Sequence, residues 1–481
     1  MDYSVWFFIT SGLFLGWSLG ANHAVNVFGT AVVSRMVKFK SAAIIAGIFV
    51  TLGCVMGGEG TTKTLNSLGA VNAIAGSFTV ALAVGASVFI MTKLKLPVST
   101  SQAIVGGIVG WNYFTGSPTD YNSLAKIVTT WVTSPIIAAV FAFVLFKLIK
   151  VTILKKNIHL LRLDVYTRYG LIIVGALASY SLGANNIANV MGLFVSSHPF
   201  QDFSFANIFT ISGTQILFLI GGLSIAIGIF TYGHNVMLMM EKDMYKISPI
   251  TGFVVVLSEF LVLFLFTSQT LEKLLLSLGL PTIPLVPFPI TQAFIGAVIG
   301  VGLAKDPHSI NFKVFGKISV GWVSVPIIAG VFTFVSLFFV QNVFEQKVII
   351  HNSYGITESI IKYAQNDGIN IENWDKLIGH KFESVKELKK ELLKFSSYSD
   401  KEFLKIIGYA KIDSFYIDTL KLKTDLKLKN EDYQKFKKLQ GIKFYYKIDL
   451  IEKFKEQNLF GYIKTNNNFI EQHFRISRKT N

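Results

Sequence analysis

Three motifs occur twice in this chain, in the same order, and that duplication restricts its fold more than any single run of residues. GANHAVN at Gly20–Asn26 returns as GANNIAN at Gly183–Asn189. LPVSTSQAIVGGIVG at Leu96–Gly110 returns as VPFPITQAFIGAVIG at Val286–Gly300, and WVTSPIIAAVFAFV at Trp131–Val144 as WVSVPIIAGVFTFV at Trp322–Val335. Between and around them lie apolar runs long enough to cross a bilayer, at roughly 4–34, 41–58, 70–92, 97–114, 124–149, 167–195, 204–231, 250–268, 284–304 and 314–341. That is about ten segments, five per half. A duplicated unit with an odd number of crossings enters the membrane in opposite orientations, the inverted-repeat plan of secondary transporters.

Composition agrees with this reading. The chain has 481 residues, 51% of them hydrophobic, and a mean hydropathy of +0.51, too apolar for a soluble protein of this length. Its 45 Lys and Arg against 29 Asp and Glu give a net +16. In a soluble protein that surplus would point to nucleic acid. Here much of it falls in every second short loop, at Arg35–Lys40, Lys93–Lys95, Lys147–Arg168, Lys242–Lys246 and Lys305–Lys317, which makes those loops cytoplasmic and the lipid bilayer the partner. A bacterial-type cytoplasmic membrane is the expected location. The N-terminus carries Asp2 and no basic stretch, so it reads as a first span and not as a cleaved signal. The single Cys54 excludes an internal disulfide or a cysteine metal cluster.

The expected architecture is an all-α membrane protein of two inverted repeats, residues 1–165 and 166–344, followed by a small soluble domain over 345–481. The tail is rich in Lys, Glu and Asp but keeps enough aromatic and aliphatic residues to fold, with helical patterns at Ser384–Phe395 and Glu431–Leu439.

The GAN motifs sit inside apolar runs. Gly20 and Gly183 are expected to break the helix there, and Asn22 with Asn26, like Asn185 with Asn189, are four apart and share one helical face. Carboxamides on a broken intramembrane helix suggest a ligand site; the alternative is close helix packing with asparagine as polar glue. In the second motif, Ser99, Thr100, Ser101 and Gln102 follow Pro97, and Thr291 and Gln292 follow Pro289. Proline opens half-helices well, so hydroxyls, amides and free N–H groups gather where a tetrahedral oxyanion binds without arginine. The plainer reading is that these hydroxyls only cap helices. A site so short of positive charge suits a co-bound cation, hence a cation-coupled symporter. Glu59 and Glu259 are the carboxylates in or near the spans and are candidate cation ligands or proton carriers.

Taken together, the doubled GAN-x-x-x-N, the doubled proline–hydroxyl hairpin, the WV-x-x-P spans, YGHNVM at Tyr232–Met237 and SPITGF at Ser248–Phe253 resemble the inorganic phosphate transporter (PiT) family over most of residues 1–341. The resemblance implies a multi-pass symporter moving phosphate with Na⁺ or H⁺, commonly as a homo-oligomer. It also implies that Asn22, Asn26, Asn185 and Asn189 with Ser99, Thr100, Ser101 and Thr291 form the substrate and cation region. The chain departs from the family pattern at several points. His23 and Asn186 stand where aspartates are usual, and Gln102 and Gln292 where histidines are. Val50 and Lys63 replace acids, and Pro289 and Ile290 replace hydroxyl residues. His23 titrates near neutrality, so it is either a proton carrier or a hydrogen-bonded packing histidine. Two alternatives stay open: a permease for sulfate or another oxyanion, and a membrane-anchored anion sensor signalling through the tail. An enzyme is not expected, since no nucleophile–base pair, zinc-ligand spacing or phosphate loop is recognisable; no organic cofactor is implied.

Overall fold

A computed structural model describes residues 3–69, 71–94, 98–154, 159–205, 209–243, 248–305, 312–350, 353–413 and 430–459. Two compact units result, Met1–Ile350 and His351–Asn481.

The first unit is helical because its runs are apolar around most of their circumference, so they satisfy their backbone internally and bury side chains on several sides at once. In order, it contains α1 (Tyr3–Ala24), which continues through a π-helical turn at Val25–Gly29 into α2 (Thr30–Val33), then α3 (Phe39–Gly57), α4 (Glu59–Leu68), α5 (Ile74–Lys93), α6 (Thr100–Thr115) and α7 (Tyr121–Ile149). The second repeat has α8 (Leu160–Met191), so that the expected boundary at 165/166 falls inside this helix and the repeat starts with Leu160, then a short antiparallel hairpin of β1 (Phe203–Phe205) and β2 (Phe209–Ile211), α9 (Gly213–Asp243), α10 (Pro249–Thr267), α11 (Gln269–Ser277), α12 (Ile290–Lys305) and α13 (Phe312–Asn342). Among the described residues, seven helices are long and apolar enough to cross a membrane. Helices α1, α6 and α12 complete the ten apolar segments. At 16 residues each, α6 and α12 are about 24 Å long, shorter than a hydrocarbon core of about 30 Å.

The repeats interlock. Helix α1 packs on α9 and its counterpart α8 on α3; α7 packs on α12 and its counterpart α13 on α6. The contacts match pair by pair. A Cβ on Gly20 would strike the Ile225 carbonyl, and one on Gly183 the Val50 carbonyl. A Cβ on Gly106 would strike the Pro326 carbonyl, and one on Gly296 the Pro135 carbonyl. Each glycine therefore lets a backbone of the other repeat approach to contact distance.

This corrects one expectation. Helix α8 runs through Gly183 without interruption and α1 through Gly20. The glycines do not open the helix; their missing side chains are used for helix crossing. The one irregularity at a GAN motif is the π-helical turn, which begins five residues after Gly20 and contains Asn26. Cys54, fully buried, points its thiol at the Gly183 carbonyl (3.5 Å) as part of the same crossing.

The second unit packs short helices at Glu358–Asn366, Val385–Leu392, Asp400–Ala410 and Lys447–Glu456 around Trp374, Ile360, Leu388, Ile406 and Phe382. A two-stranded pairing of Tyr354–Gly355 with Lys381–Phe382 ties it together. Both helical patterns expected in the tail are present, at Val385–Leu392 behind the Ser384 cap and at Asn430–Lys438.

Candidate substrate site

The extended segments that precede α6 and α12 enter the bundle and cross. Ser101, in the first turn of α6, donates its hydroxyl to the carbonyl of Phe288 (3.1 Å). Thr291, in the first turn of α12, donates to the carbonyl of Val98 (3.4 Å). Ser101 and Thr291 are repeat equivalents, as are Val98 and Phe288, so each hairpin caps the other across the internal axis. The N-termini of two half-helices therefore converge at one place. Each presents first-turn N–H groups and the positive end of its dipole, the arrangement that receives anions at helix starts.

The GAN residues close around this point. Asn185 forms a two-membered clamp on the peptide of Phe288, accepting from its N–H (2.9 Å) and donating to its carbonyl (3.1 Å). Asn189 donates to the Ser101 hydroxyl (2.9 Å) and to Oδ1 of Asn186 (3.1 Å). In the other repeat, Nε2 of His23 lies 3.1 Å from the Thr100 hydroxyl, and the Asn26 amide lies 3.3 Å from Nδ1 of the same ring. When Asn26 donates to Nδ1, the imidazole carries its hydrogen on Nε2 and donates to Thr100. Asn22 is half-buried and makes no clamp equivalent to that of Asn185 among the described residues.

All these groups but Asn22 are buried, and several keep polar atoms unused. Among the described residues, Oε1 of Gln102, Oε1 of Gln292, Nδ2 of Asn186 and Oδ1 of Asn189 have no hydrogen-bond partner. A buried polar atom left unmatched costs about 1–3 kcal/mol, so these four atoms, on the second GAN motif and the first turns of α6 and α12, are the ones in this region with hydrogen-bonding capacity to offer a ligand. A half-turn of either glutamine amide exchanges its free oxygen for an NH₂ group, so each position can present an acceptor or a donor.

Of the residues singled out from sequence, hydrogen bonds join Asn26, His23 and Thr100 in one set, Ser101, Asn185, Asn186 and Asn189 with the Phe288 backbone in a second, and Thr291 with the Val98 carbonyl in a third; the sets are neighbours through the first turns of α6 and α12. Gln102 and Gln292 adjoin them in the first turns of the same two helices. Ser99 is the N-cap of α6, accepting from the Gln102 N–H (3.4 Å), so the capping reading holds for it. Glu259 is wholly buried on α10, and neither carboxylate oxygen has a partner among the described residues. Glu59 lies elsewhere. It is exposed at the start of α4 and forms a one-turn ion pair with Lys63 (2.8 Å), a surface contact worth little. The sequence reading passed over Phe288, whose contribution is its peptide group. Prolines on both sides, Pro287 and Pro289, lack N–H donors and hold it extended, which leaves its peptide unpaired until Asn185 meets it.

The family described as the phosphate transporter family matches residues 19–332, with a further match over 275–395. The chain belongs to this family. It is 27% identical over 405 residues to a candidate phosphate permease of Pyrococcus furiosus, covering 67% of this chain and 94% of that protein. A candidate phosphate permease of Methanocaldococcus jannaschii is 29% identical over 318 residues, covering 66% and 91%. One from Haemophilus influenzae is 24% identical over 420 residues, covering 70% and 96%. The solved structure described as the sodium-dependent phosphate transporter superposes with a TM-score of 0.56 at 21% identity, covering 71% of this chain and 99% of that one. At that identity the likeness concerns the fold alone.

Proposed function

We propose that the protein is a cation-coupled permease for inorganic phosphate in the cytoplasmic membrane, and that the proton is its coupling ion. The observation that carries this reading is the convergence of the α6 and α12 N-termini on the GAN amides in a buried region that, among the described residues, holds no lysine or arginine. In the proposed mechanism, phosphate oxygens take first-turn N–H groups of both half-helices and compete for the hydroxyls of Ser101 and Thr291. Asn22, Asn26, Asn186, Asn189, Gln102 and Gln292 complete the shell. Binding from one face and release to the other follows from rocking one repeat against its partner.

His23 supports proton coupling. By the family resemblance it stands where an aspartate is usual, and its two ring nitrogens are already engaged by Thr100 and Asn26. Protonation turns Nδ1 from acceptor to donor, so the Asn26 amide has to present its oxygen in place of its NH₂. A proton bound at the ring thus reorients a substrate-binding amide and supplies the positive charge that the cluster lacks. Glu259, a buried acid without a partner among the described residues, is the second candidate carrier.

The deciding experiment is uptake of labelled phosphate and labelled sulfate into proteoliposomes under an imposed sodium gradient and, separately, a pH gradient. Phosphate uptake driven by pH alone is the expected result. Sodium-driven uptake would overturn the proton assignment, sulfate uptake without phosphate the substrate, and no flux of either the transport reading itself.

A further inference from the structure

Where the two repeats join, at the connection between α7 and α8, the first unit holds a cavity of about 260 Å³. Ile149 and Ile153 line it from the end of α7 and its π-helical extension, Leu163 and Tyr166 from the first turns of α8, and Ile250 and Phe253 from the start of α10. The Thr167 hydroxyl beside them is spent on the Leu163 carbonyl (2.8 Å), so the walls are almost entirely apolar. Tyr166 is 63% exposed, which leaves the cavity accessible from the protein's outer face. The size is just below that of pockets taking a drug-sized molecule, and suits part of a longer apolar one.

Three observations identify the occupant. The first is charge. Lys150 follows Ile149, Arg162 precedes Leu163, and Arg168 follows Thr167, with Asp164 the carboxylate of that stretch. Lys150, Arg162 and Arg168 form no ion pair among the described residues. The second is depth. The span Tyr121–Ile153 has 33 residues, about 50 Å of helix against a hydrocarbon core of about 30 Å. At least one end therefore reaches headgroup level, and the basic residues with the exposed Tyr166 and Tyr169, residues of the interfacial-anchor type, mark this one. The third is a difference between the repeats. Phe78, which stands at the fifth position of α5 as Phe253 does of α10, packs on Phe7 and Phe8 with ring centroids 5.3 and 5.7 Å away. Phe253 meets Gly170 in the position of Phe7, so the ring that fills this corner in the first repeat is missing in the second.

We infer that this cavity is a binding site for an anionic phospholipid, with the apolar part of the lipid between α7, α8 and α10 and its phosphate held by Lys150 and Arg162. Basic residues around an apolar crevice at headgroup depth are what such a lipid recognises. Because α7 belongs to one repeat and α8 and α10 to the other, the bound lipid bridges the two repeats.

The test places the full chain in nanodiscs of equal phosphatidylglycerol and phosphatidylcholine, extracts it into mild detergent and weighs retained lipid by native mass spectrometry. Wild type is expected to retain phosphatidylglycerol preferentially. The exposed double variant Lys150→Gln, Arg162→Gln is expected to lose about thirtyfold of that preference, the effect of two membrane-facing cations. Ile250→Trp fills the cavity and should lower retention of both lipids. Lys38→Gln with Lys40→Gln, on another basic loop, should change nothing. No preference in wild type, an unchanged preference in the double variant, or an equal loss in the Lys38 and Lys40 control would each overturn the proposal.

Discussion

Asn185 and Asn22 occupy equivalent places in the two repeats, yet their surroundings differ. Asn185 is committed to both polar groups of the Phe288 peptide, whereas Asn22 is half-buried and makes no such clamp among the described residues. Asn185→Ala strands a buried N–H and should cost about 2–3 kcal/mol, visible as a lowered melting temperature of the detergent-solubilised protein. Asn22→Ala should leave melting unchanged and raise the KM for phosphate. Equal melting of both variants would refute the distinction. At His23, the Gln substitution keeps a hydrogen-bonding side chain but removes the titration. Phosphate uptake should then lose its dependence on an imposed pH gradient while exchange of internal for external phosphate persists. Much of this cluster was legible in the sequence, because the duplicated motifs marked Asn26, Asn189, Thr100, Ser101 and Thr291. Phe288 was not, because its contribution is a peptide group that no residue type announces. Glu59 misled, since a carboxylate beside an apolar run has the same composition whether it enters the membrane or, as here, begins an exposed helix.

Among the elements, the GAN helices show where sequence reasoning stops. A glycine in an apolar run signals a break or a close crossing, and only the partner backbone tells which. Here the partners are the carbonyls of Ile225 and Val50. Gly183→Val should therefore cost more than about 3 kcal/mol through overpacking against a backbone that has nowhere to move, and should abolish recovery of folded protein. Normal expression and melting would contradict the crossing. The turn after α8 gives a test in solution outside the membrane. Burial holds His198 below the ordinary histidine range, partly opposed by the neighbouring Asp202 carboxylate. Its ring lies against Phe200 and its Nε2 sits 3.4 Å from Thr214. Because the folded state takes up the proton less readily than the unfolded one, the stabilisation is complete above the ordinary histidine range and declines as pH falls through it. Protease cleavage of the connection between α8 and α9 should accelerate on acidification, and His198→Phe should flatten that dependence.

For the molecule as a whole, the division at Ile350 separates a membrane body from a small domain with its own apolar centre. Deleting the chain after Ile350 should leave phosphate flux in proteoliposomes measurable; a complete loss with the membrane body still folded would favour the sensor reading. The interlocked packing of the repeats has a further consequence, for biogenesis. While the first repeat is being made, the glycine notches on α1, α3 and α6 have no partners, because the backbones that fill them lie on α9, α8 and α13. The first half must wait in the bilayer, incompletely assembled, until translation has delivered nearly all of the second. Docking is then ordered by synthesis: α3 meets α8 first, α1 meets α9 next, and α6 meets α13 last. A chain divided before His159 should yield active protein only when both pieces are made together, and neither piece should escape quality control alone.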